Sequence, residues 1–342
     1  MGKNKWILTV LGVLVLVLAG FFLFQNAKHA QKHFKGVRII FFNGGAQGDS
    51  FASVVYNGAK AAEGDFGATV EYVWSGWDKE KMALQFKEAI DKSPDAICMM
   101  GHPGTNVLAP LIDEAVRKGI IVTLQNVDLP QIRGQYIDKG FGYAGQGLYE
   151  SGKTLARGVI TKFGLEKGLK ALVIGPTGIT EDGQALNERA MRTKGCVDGL
   201  KEGGFTVYVM TFGPAVESNP KENGVDFLAQ ALARYPDIKV LIADSGTFTD
   251  GMEFILKKIG KNPGSIITAG FDLSDGTVQG IKDGYMGVVS DQQPYLQGYL
   301  PILQSCLAKK YGFAGLYIDT GVGLIDRSNV DAVAELAKKQ IR

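Results

Sequence analysis

The sequence predicts an α/β protein built from two doubly wound parallel sheets that face each other. Short apolar runs that are typical of strands alternate with amphipathic helical segments, which is the pattern of βαβ units. After the fourth predicted strand the same alternation starts again. At 342 residues the chain is long enough for each of the two blocks to bury a core of its own.

The first block begins near residue 37 and holds four predicted strands. They lie at residues 37–42, 69–74, 95–100 and 120–124. The helices between them are predicted up to about residue 62, at 80–90 and at 107–118. Helical connections of this length indicate right-handed crossovers, and therefore parallel strands.

The second block holds five predicted strands with helices between them. They lie at residues 169–174, 206–210, 240–243, 266–270 and 286–290. Ligands of open α/β sheets bind at the carboxyl ends of the strands. The residues that follow each strand are therefore the candidates for a binding site.

The segments that follow the predicted strands are rich in hydrogen-bonding and aromatic residues. They are residues 43–51, 74–77, 101–104, 125–128, 244–247, 271–272 and 291–294. Carboxylates and amides can hydrogen-bond the hydroxyls of a sugar, and an aromatic ring can pack on its C–H face. The alternative for any single residue is a helix cap, because polar turn residues commonly cap the helix that follows them. The convergence of seven such segments favours a binding cleft.

Residues 6–24 form an uninterrupted apolar run that follows Lys3 and Lys5. A spanning helix needs about 20 such residues, whereas a signal-peptide core has about 7–15, so we predict an uncleaved signal anchor. Cleavage near Ala27 or Ala30 is the alternative. The lysines after the run outnumber those before it, which on the positive-inside tendency would place the large domain in the cytoplasm.

Composition and residue spacing exclude several classes of function. A net charge of +2 does not indicate the strongly basic surface that nucleic-acid-binding proteins carry. Cys98, Cys196 and Cys306 lie in apolar contexts without CxxC spacing, so we predict buried thiols, with a disulfide between two of them as the alternative. The three histidines show no metal-ligand spacing, and no metal or cofactor is predicted.

Two phosphate-binding patterns overlap in the middle of the chain. Residues 140–145 match G-x-G-x-x-G, residues 147–154 match the Walker A spacing, and residues 240–244 form an apolar strand that ends in aspartate, as a Walker B would. Backbone amides cradle phosphate in a real P-loop, but this loop would carry the anion Glu150.

The same segment has the apolar spacing of a helix. One helical face would hold Leu148, Gly152, Leu155, Val159 and Phe163. Lys153 and its neighbours would then lie inside a helix, where their amides are already used. Since the chain also lacks a G-x-S-x-G nucleophile elbow, we predict that it is not an enzyme.

Two segments of the second block carry a family resemblance. Residues 269–274, Ala-Gly-Phe-Asp-Leu-Ser, and residues 290–298, Ser-Asp-Gln-Gln-Pro-Tyr-Leu-Gln-Gly, look like parts of the sugar-binding components of ABC importers. Residues 101–104 and 188–195 and the helix at 58–62 support them. From about residue 37 to its end the chain resembles the type I periplasmic sugar-binding proteins, the ribose-binding-protein-like group.

The resemblance implies two lobes that are joined by three crossings of the chain and close on the ligand by a hinge motion. The crossings are expected near Gly145, Gln292 and Thr320. Lobe one would comprise residues 37–144 plus 293–319, and lobe two residues 146–291 plus 320–342. Residues 1–36 would be the signal anchor and juxtamembrane stretch.

The resemblance also implies individual ligand-binding residues. Asp272 matches the carboxylate that takes sugar hydroxyls, and Gln292 matches a polar cleft residue at a crossing. Arg192 matches a cleft arginine of lobe two, with Arg189 as a neighbouring candidate. Phe51 matches an aromatic residue of lobe one that stacks on the sugar.

The remaining candidates lie in the same strand-end turns. They are Gln47, Asp49, Trp77, His102, Gln125, Asn126 and Ser245. Ribose-binding proteins carry an aspartate–arginine pair where this chain has Gln125 and Asn126, and an asparagine where it has Ser245. These departures argue against ribose itself and leave the sugar class in place.

The resemblance predicts a monomeric receptor that binds a monosaccharide or polyol and hands it to the permease of an ABC importer. It favours the periplasmic or extracellular face of the cell envelope over the cytoplasm. One alternative is a sensory receptor that docks on a chemoreceptor or sensor kinase. A remote alternative is a membrane-anchored P-loop nucleotide-binding enzyme.

Overall fold

The computed structural model describes residues 33–321 and 323–342, which fold around two six-stranded sheets. Sheet one is built from β1 (Arg38–Phe42), β2 (Thr69–Val73), β3 (Ala96–Met100), β4 (Ile121–Gln125), β5 (Gly142–Gly145) and β11 (Tyr317–Asp319). Its helices are α1 (Ser50–Phe66), α2 (Lys79–Asp91), α3 (Thr105–Arg117), α4 (Pro130–Tyr136) and α11 (Pro294–Tyr311). We call this unit lobe one.

Lobe two is built around sheet two. Its strands are β6 (Lys170–Pro176), β7 (Thr206–Phe212), β8 (Val240–Ala243), β9 (Ile267–Phe271), β10 (Val288–Asp291) and β12 (Gly323–Asp326). Its helices are α5 (Leu148–Phe163), α6 (Met191–Glu202), α7 (Pro214–Ser218), α8 (Pro220–Arg234), α9 (Gly246–Lys258), α10 (Asp275–Asp283) and α12 (Ala334–Lys338).

Strand order gives both sheets the doubly wound topology. Sheet one runs β11-β5-β4-β3-β1-β2 and sheet two runs β12-β10-β9-β8-β6-β7. Every pairing is parallel except that of the edge strand β12 with β10. All five residues of β3 and all four of β8 are buried, because helices cover both faces of a parallel sheet.

The chain passes from one sheet to the other three times. It leaves sheet one after Gly145, returns between Asp291 and Pro294, and leaves again after Asp319. At the second passage Gln293 has a left-handed backbone, with φ 53°, and its side-chain amide donates to the Thr320 carbonyl at 2.6 Å. The second and third passages are therefore tied together.

Glycines allow two pairs of helices to cross at very short range. In lobe one, Cβ atoms on Gly58 and Gly298 would each lie 1.9 Å from a backbone oxygen of the opposite helix, α11 or α1. In lobe two, a Cβ on Gly152 of α5 would lie 2.2 Å from the Arg192 carbonyl of α6, and one on Gly195 2.1 Å from the Tyr149 carbonyl. These crossings fix helices that carry cleft residues.

The predicted α/β class with two parallel-sheet lobes is confirmed. The short strands β5, β11 and β12 were not predicted, and β12 is antiparallel where parallel strands were expected. All three cysteines are buried and free, as predicted, and the disulfide alternative is wrong. The predicted signal anchor at residues 6–24 lies outside the described residues, and in the described part no helix is long and apolar enough to cross a membrane.

Candidate ligand-binding site

The carboxyl ends of the two sheets face each other across a cavity of about 390 Å³, a volume that includes space open to solvent. Its lining comes from both lobes and from the second passage of the chain. The lining residues are Phe51, Trp77, His102, Asn126, Arg189, Arg192, Glu217, Ser245, Gly246, Thr247, Asp272 and Gln292. Nine of the twelve residues predicted from the sequence are among them.

An aromatic wall forms the lobe-one side of the cavity. Phe51 lies in the first turn of α1, and its ring centroid is 5.8 Å from that of Trp77. Trp77 has a left-handed backbone, with φ 61°, and its indole N–H donates to Asp49 at 2.9 Å. Asp49 also caps α1 by accepting from the Ala52 amide at 2.8 Å. Asp49 therefore holds the wall in place and does not line the cavity.

His102 extends this wall. Its ring centroid lies 5.4 Å from that of Trp77, and its Nδ1 is buried with no hydrogen-bond partner among the described residues. Burial, and then the positive charge of Arg189, hold the pKa of His102 well below 6.5. A neutral imidazole can donate from one nitrogen and accept at the other, so the unpaired Nδ1 can hydrogen-bond a ligand hydroxyl.

Two buried arginines on the lobe-two side share one buried carboxylate. Arg189 donates to Asp244 Oδ2 at 2.9 Å, and Arg192 donates to Asp244 Oδ1 at 2.5 Å. Burial acts to raise the pKa of Asp244, but the charges of the two arginines outweigh it and hold that pKa below its usual value. The guanidinium of Arg192 also lies 4.0 Å from the centroid of the Phe271 ring. Asp244 thus fixes both side chains and offsets half of their charge.

A chain of amides and a carboxylate lies at the back of the cavity. Gln292 donates to Asp272 Oδ1 at 2.6 Å, and Asn126 donates to Gln292 Oε1 at 3.2 Å. Asn126 and Asp272 both have left-handed backbones, with φ 63° and 72°, which these residue types tolerate better than most. The side chains at the ends of β4 and β9 are thereby directed toward the second passage of the chain.

Burial raises the pKa of Asp272 to about 6, against the attraction of Arg192 and the hydrogen bond from Gln292. Gly246 allows the start of α9 to approach this carboxylate, because a Cβ there would lie 2.2 Å from Asp272 Oδ2. Asp272 is therefore a desolvated acceptor, and among the described residues its carboxylate accepts one hydrogen bond, from Gln292.

Three predicted residues do not line the cavity. Gln47 is exposed in the turn before α1, at the outer mouth of the cleft. Gln125 is fully buried and donates to the Phe42 carbonyl at 2.8 Å, so its side chain belongs to sheet one. Asp49, the third, is the cap and Trp77 partner described above. Asp49 and Ser245 both cap helices, although Ser245 also lines the cavity.

Three lining residues were not among the predicted set: Glu217, Gly246 and Thr247. Glu217 lies on the five-residue helix α7, which follows β7, and burial raises the pKa of its carboxyl. The Thr247 hydroxyl donates to the Glu217 carbonyl at 2.8 Å and ties α7 to the start of α9. Thr247 lies in residues 244–247, one of the strand-end segments selected from the sequence. Helix α7, which carries Glu217, has only five residues and is too short to show helical periodicity in the sequence.

The Walker-like segment folds as predicted for a helix. Residues 148–154 are the start of α5, and Gly152 packs against α6. Lys153 pairs with Glu202 at 2.7 Å. Asp244, the Walker B candidate, is the counter-ion of the two arginines. The segment has a structural role in lobe two.

Comparisons with known proteins agree with this architecture. The model of the periplasmic binding protein domain family matches residues 39–307. The xylose/arabinose-binding protein of Sulfolobus acidocaldarius is 29% identical over 276 residues, which are 76% of this chain and 64% of that protein. The chain thus spans less than two thirds of the length of this curated relative.

Solved structures show the same fold at low sequence identity. A carbohydrate transporter from Acidothermus cellulolyticus in complex with myo-inositol is 23% identical, with a TM-score of 0.73 over 90% of this chain and 99% of that one. An ABC transporter solute-binding protein from Burkholderia graminis in complex with D-arabinose is 22% identical, with a TM-score of 0.73 over 87% of this chain and 98% of that one. At these identities the likeness concerns the fold.

Proposed function

This chain belongs to the periplasmic binding protein domain family, and we propose that it binds a monosaccharide or related polyol between its lobes and delivers it to an ABC transporter permease. The observation that carries the proposal is the composition of the cavity. An aromatic wall of Phe51 and Trp77 faces a set of carboxylate, amide and guanidinium groups. A sugar ring presents a C–H face to such a wall and hydroxyls to such a polar set.

The charges of the cavity favour a neutral ligand. Arg189 and Arg192 are both paired with Asp244, and Asp272 and Glu217 add two carboxyl groups to the lining. The positive charges are thus already compensated within the protein. An anionic ligand would meet Asp272 and Glu217, whereas hydroxyls can donate to both of them.

Similar proteins indicate which ligands to test first. The curated relative and the two solved structures described above have names that contain xylose, arabinose, myo-inositol and D-arabinose, which are pentoses and a cyclic polyol. Pentoses and cyclic polyols are therefore the first ligands to test.

We further propose that the three passages of the chain form a hinge. Hinge points near Gly145, Gln292 and Thr320 would divide the protein into residues 37–144 plus 293–319 and residues 146–291 plus 320–342. The Asn126 amide donates to Gln292 Oε1 at 3.2 Å, and the Gln297 amide donates to Thr320 Oγ1 at 3.2 Å. Ligand contacts at Gln292 would thereby act directly on the hinge.

Family membership supports a periplasmic or extracellular location and a role in binding, without catalysis. We propose that the apolar run at residues 6–24 anchors the protein in the membrane on that side. Tethering would keep the receptor at high local concentration near the permease.

The proposal is tested by thermal shift and calorimetry on the full chain in detergent, with pentoses, hexoses, cyclic polyols and Mg-ATP. A ligand at 100 times its dissociation constant should stabilise the fold by about 2.7 kcal/mol.

Asp272→Ala should weaken binding by about 2 kcal/mol or more, because hydrogen bonds to charged groups have that magnitude. Gln47→Ala, at the outer mouth, is the matched control and should bind as the parent does. Binding of Mg-ATP alone would contradict the proposal and restore the nucleotide-binding alternative.

A further inference from the structure

Lobe one carries a patch of exposed apolar side chains at the end remote from the cleft. Ile137 is 40% exposed, Tyr311 54%, Phe313 57% and Leu316 55%. The rings of Tyr311 and Phe313 lie 5.9 Å apart, and the Gly315 amide donates to the Ile137 carbonyl at 2.8 Å. The four side chains, which we call the lobe-one patch, therefore belong to one continuous surface.

The N-terminal segment enters the fold beside this patch. The Phe34 ring packs 6.3 Å from that of Tyr311, and the Phe34 amide donates to the Phe66 carbonyl at 3.0 Å. Lys310 donates to the His33 carbonyl at 2.8 Å. The described chain thus begins in contact with the lobe-one patch.

Chain length keeps the patch close to the apolar run. Residues 25–33 connect Phe24 to Phe34, and a fully extended chain spans at most about 3.6 Å per residue, so the link reaches roughly 30 Å. A membrane that holds residues 6–24 is therefore always within this reach of Phe34, which contacts Tyr311 of the patch.

Topology places the patch opposite the binding cleft. The cleft lies at the carboxyl ends of the strands, whereas Phe34 precedes β1 and Ile137 precedes β5. Helix α11 starts beside the cleft at Pro294 and ends at Tyr311, so its 18 residues cover about 27 Å between the two ends of lobe one. Contact at the patch leaves the cleft free.

Charge around the patch suits an anionic surface. Lys35 and Lys310 are exposed near it, whereas the exposed Lys139 and Lys309 are paired with Asp138 at 3.3 Å and with Asp95 at 2.8 Å. Aromatic rings beside lysines are typical of protein surfaces that lie in the headgroup region of a bilayer.

We propose that the lobe-one patch rests on the membrane surface, with Phe313 and Leu316 in the headgroup region and the lysines on anionic lipid. The occupant of the patch is a bilayer that contains anionic lipid. This pose rests on the membrane anchor in the proposed function and adds an orientation for ligand capture: lobe one lies on the bilayer, and the cleft and lobe two point away. The patch must leave the bilayer when the receptor turns its cleft to the permease.

The test uses the full chain in vesicles of phosphatidylcholine with and without phosphatidylglycerol. A nitroxide is attached at Ala314→Cys, an exposed position that keeps the patch intact, or at Glu181→Cys on lobe two as the control. Because the three native cysteines are buried, only the introduced thiol is labelled. Power saturation with oxygen and with a water-soluble nickel complex then reports the depth of each label.

We expect the label at residue 314 to be several-fold less accessible to the nickel complex than the label at 181, and more so with phosphatidylglycerol. Phe313→Glu with Leu316→Glu should return the 314 label to water. Leu84→Glu with Phe254→Glu, at two other exposed apolar positions, is the matched control and should leave it protected.

Equal nickel accessibility at 314 and 181 would overturn the proposal, as would failure of the full chain to float with vesicles. Protection that appears only at high protein density, with dipolar coupling between labels, would assign the patch to a second copy and also overturn it. Calorimetry with sugars on the same samples is independent of label depth. It therefore separates a failure of the binding function from a failure of the membrane pose.

Discussion

Asp272 lines the proposed binding site, and its buried carboxylate also destabilises the fold. Burial in the cavity raises the pKa of its carboxyl from an ordinary 3.8 to about 6. A group whose pKa is raised by folding stabilises the fold most while it is protonated, and this contribution is lost as the pH rises through the folded pKa. The ionised side chain thus opposes folding above about pH 6 in the ligand-free protein.

We expect Asp272→Asn to be more stable than the parent at neutral pH and similar to it near pH 4. A shift of about two pKa units corresponds to about 3 kcal/mol, which sets the upper size of the effect. Urea unfolding of the ligand-free protein at the two pH values measures it. A parent protein whose stability does not fall between pH 4 and neutral pH relative to the variant would contradict this assignment.

At the residue scale, sequence could locate the turns of the site but not the direction of each side chain. Gln125 and Asn126 are adjacent and both polar, yet only Asn126 reaches the cavity, because its left-handed backbone turns the chain at the end of β4. Asp49 was a candidate site residue because it lies in a strand-end turn, and its side chain is a helix cap. Whether a polar turn side chain reaches the cavity depends on backbone angles that are set by tertiary packing.

At the scale of elements, the crossing of α5 and α6 explains the Walker-like sequence. Gly152→Ala should destabilise the protein by about 1–3 kcal/mol, because its Cβ would lie 2.2 Å from the Arg192 carbonyl. Displacement of α6 should also weaken sugar binding through Arg192. Thermal and urea unfolding, with calorimetry, measure the two effects.

Gly64→Ala is the control for this substitution. Gly64 is also inside a helix, α1, but a Cβ there meets none of the described residues within 4 Å, so alanine should be neutral or stabilising. Lys153→Ala should change stability and sugar binding little. If Lys153→Ala were the damaging change and Gly152→Ala the silent one, the structural account of this segment would be wrong.

Helix α3 obtains its N-terminal cap from the opposite lobe. Gly104 at the N-cap offers no side chain, and the Thr105 amide donates instead to Glu188 of lobe two at 3.2 Å. The Thr105 hydroxyl donates to the same carboxylate oxygen. This contact exists only while the lobes are together.

Glu188→Ala should therefore speed sugar dissociation with little change in the rate of association. Loss of about 1 kcal/mol corresponds to roughly a five-fold faster release. Stopped-flow fluorescence of Trp77 in the aromatic wall can follow the release. Glu166→Ala, an exposed carboxylate of lobe two, is the control, and an equal effect there would remove the interlobe contact from the explanation.

Sequence patterns predicted the long elements well and the short ones poorly. The apolar runs that became β3, β4 and β8 are continuous and stand out from their surroundings. β5 (Gly142–Gly145) is half glycine and β11 has three residues, so neither shows a strand signal. β5 pairs with the edge of sheet one at β4, and β11 then pairs with β5, so both strands depend on the rest of the sheet.

At the scale of the whole molecule, the cleft should respond to ligand by closing. Both lobes line the cavity, and the Thr105–Glu188 contact joins the lobes outside it, so a bound sugar favours the conformation with the lobes together. Small-angle X-ray scattering should show a smaller radius of gyration when a sugar that binds is added. Asp272→Ala, with the same sugar concentration, should show a much weaker response. An unchanged radius in the parent protein at saturation would indicate rigid lobes.

The three passages of the chain also bear on how the protein is made. Lobe one lacks α11 and β11 until residues 294–319 have been synthesised, although its first five strands are complete by Gly145. At about 5–20 residues per second, the roughly 170 intervening residues take on the order of 10–30 s to translate. During that interval Gly58 has no partner helix and β5 is an open edge. Lobe two is likewise incomplete until β12 has been synthesised. Neither lobe can therefore reach its complete native fold until almost the whole chain has been made.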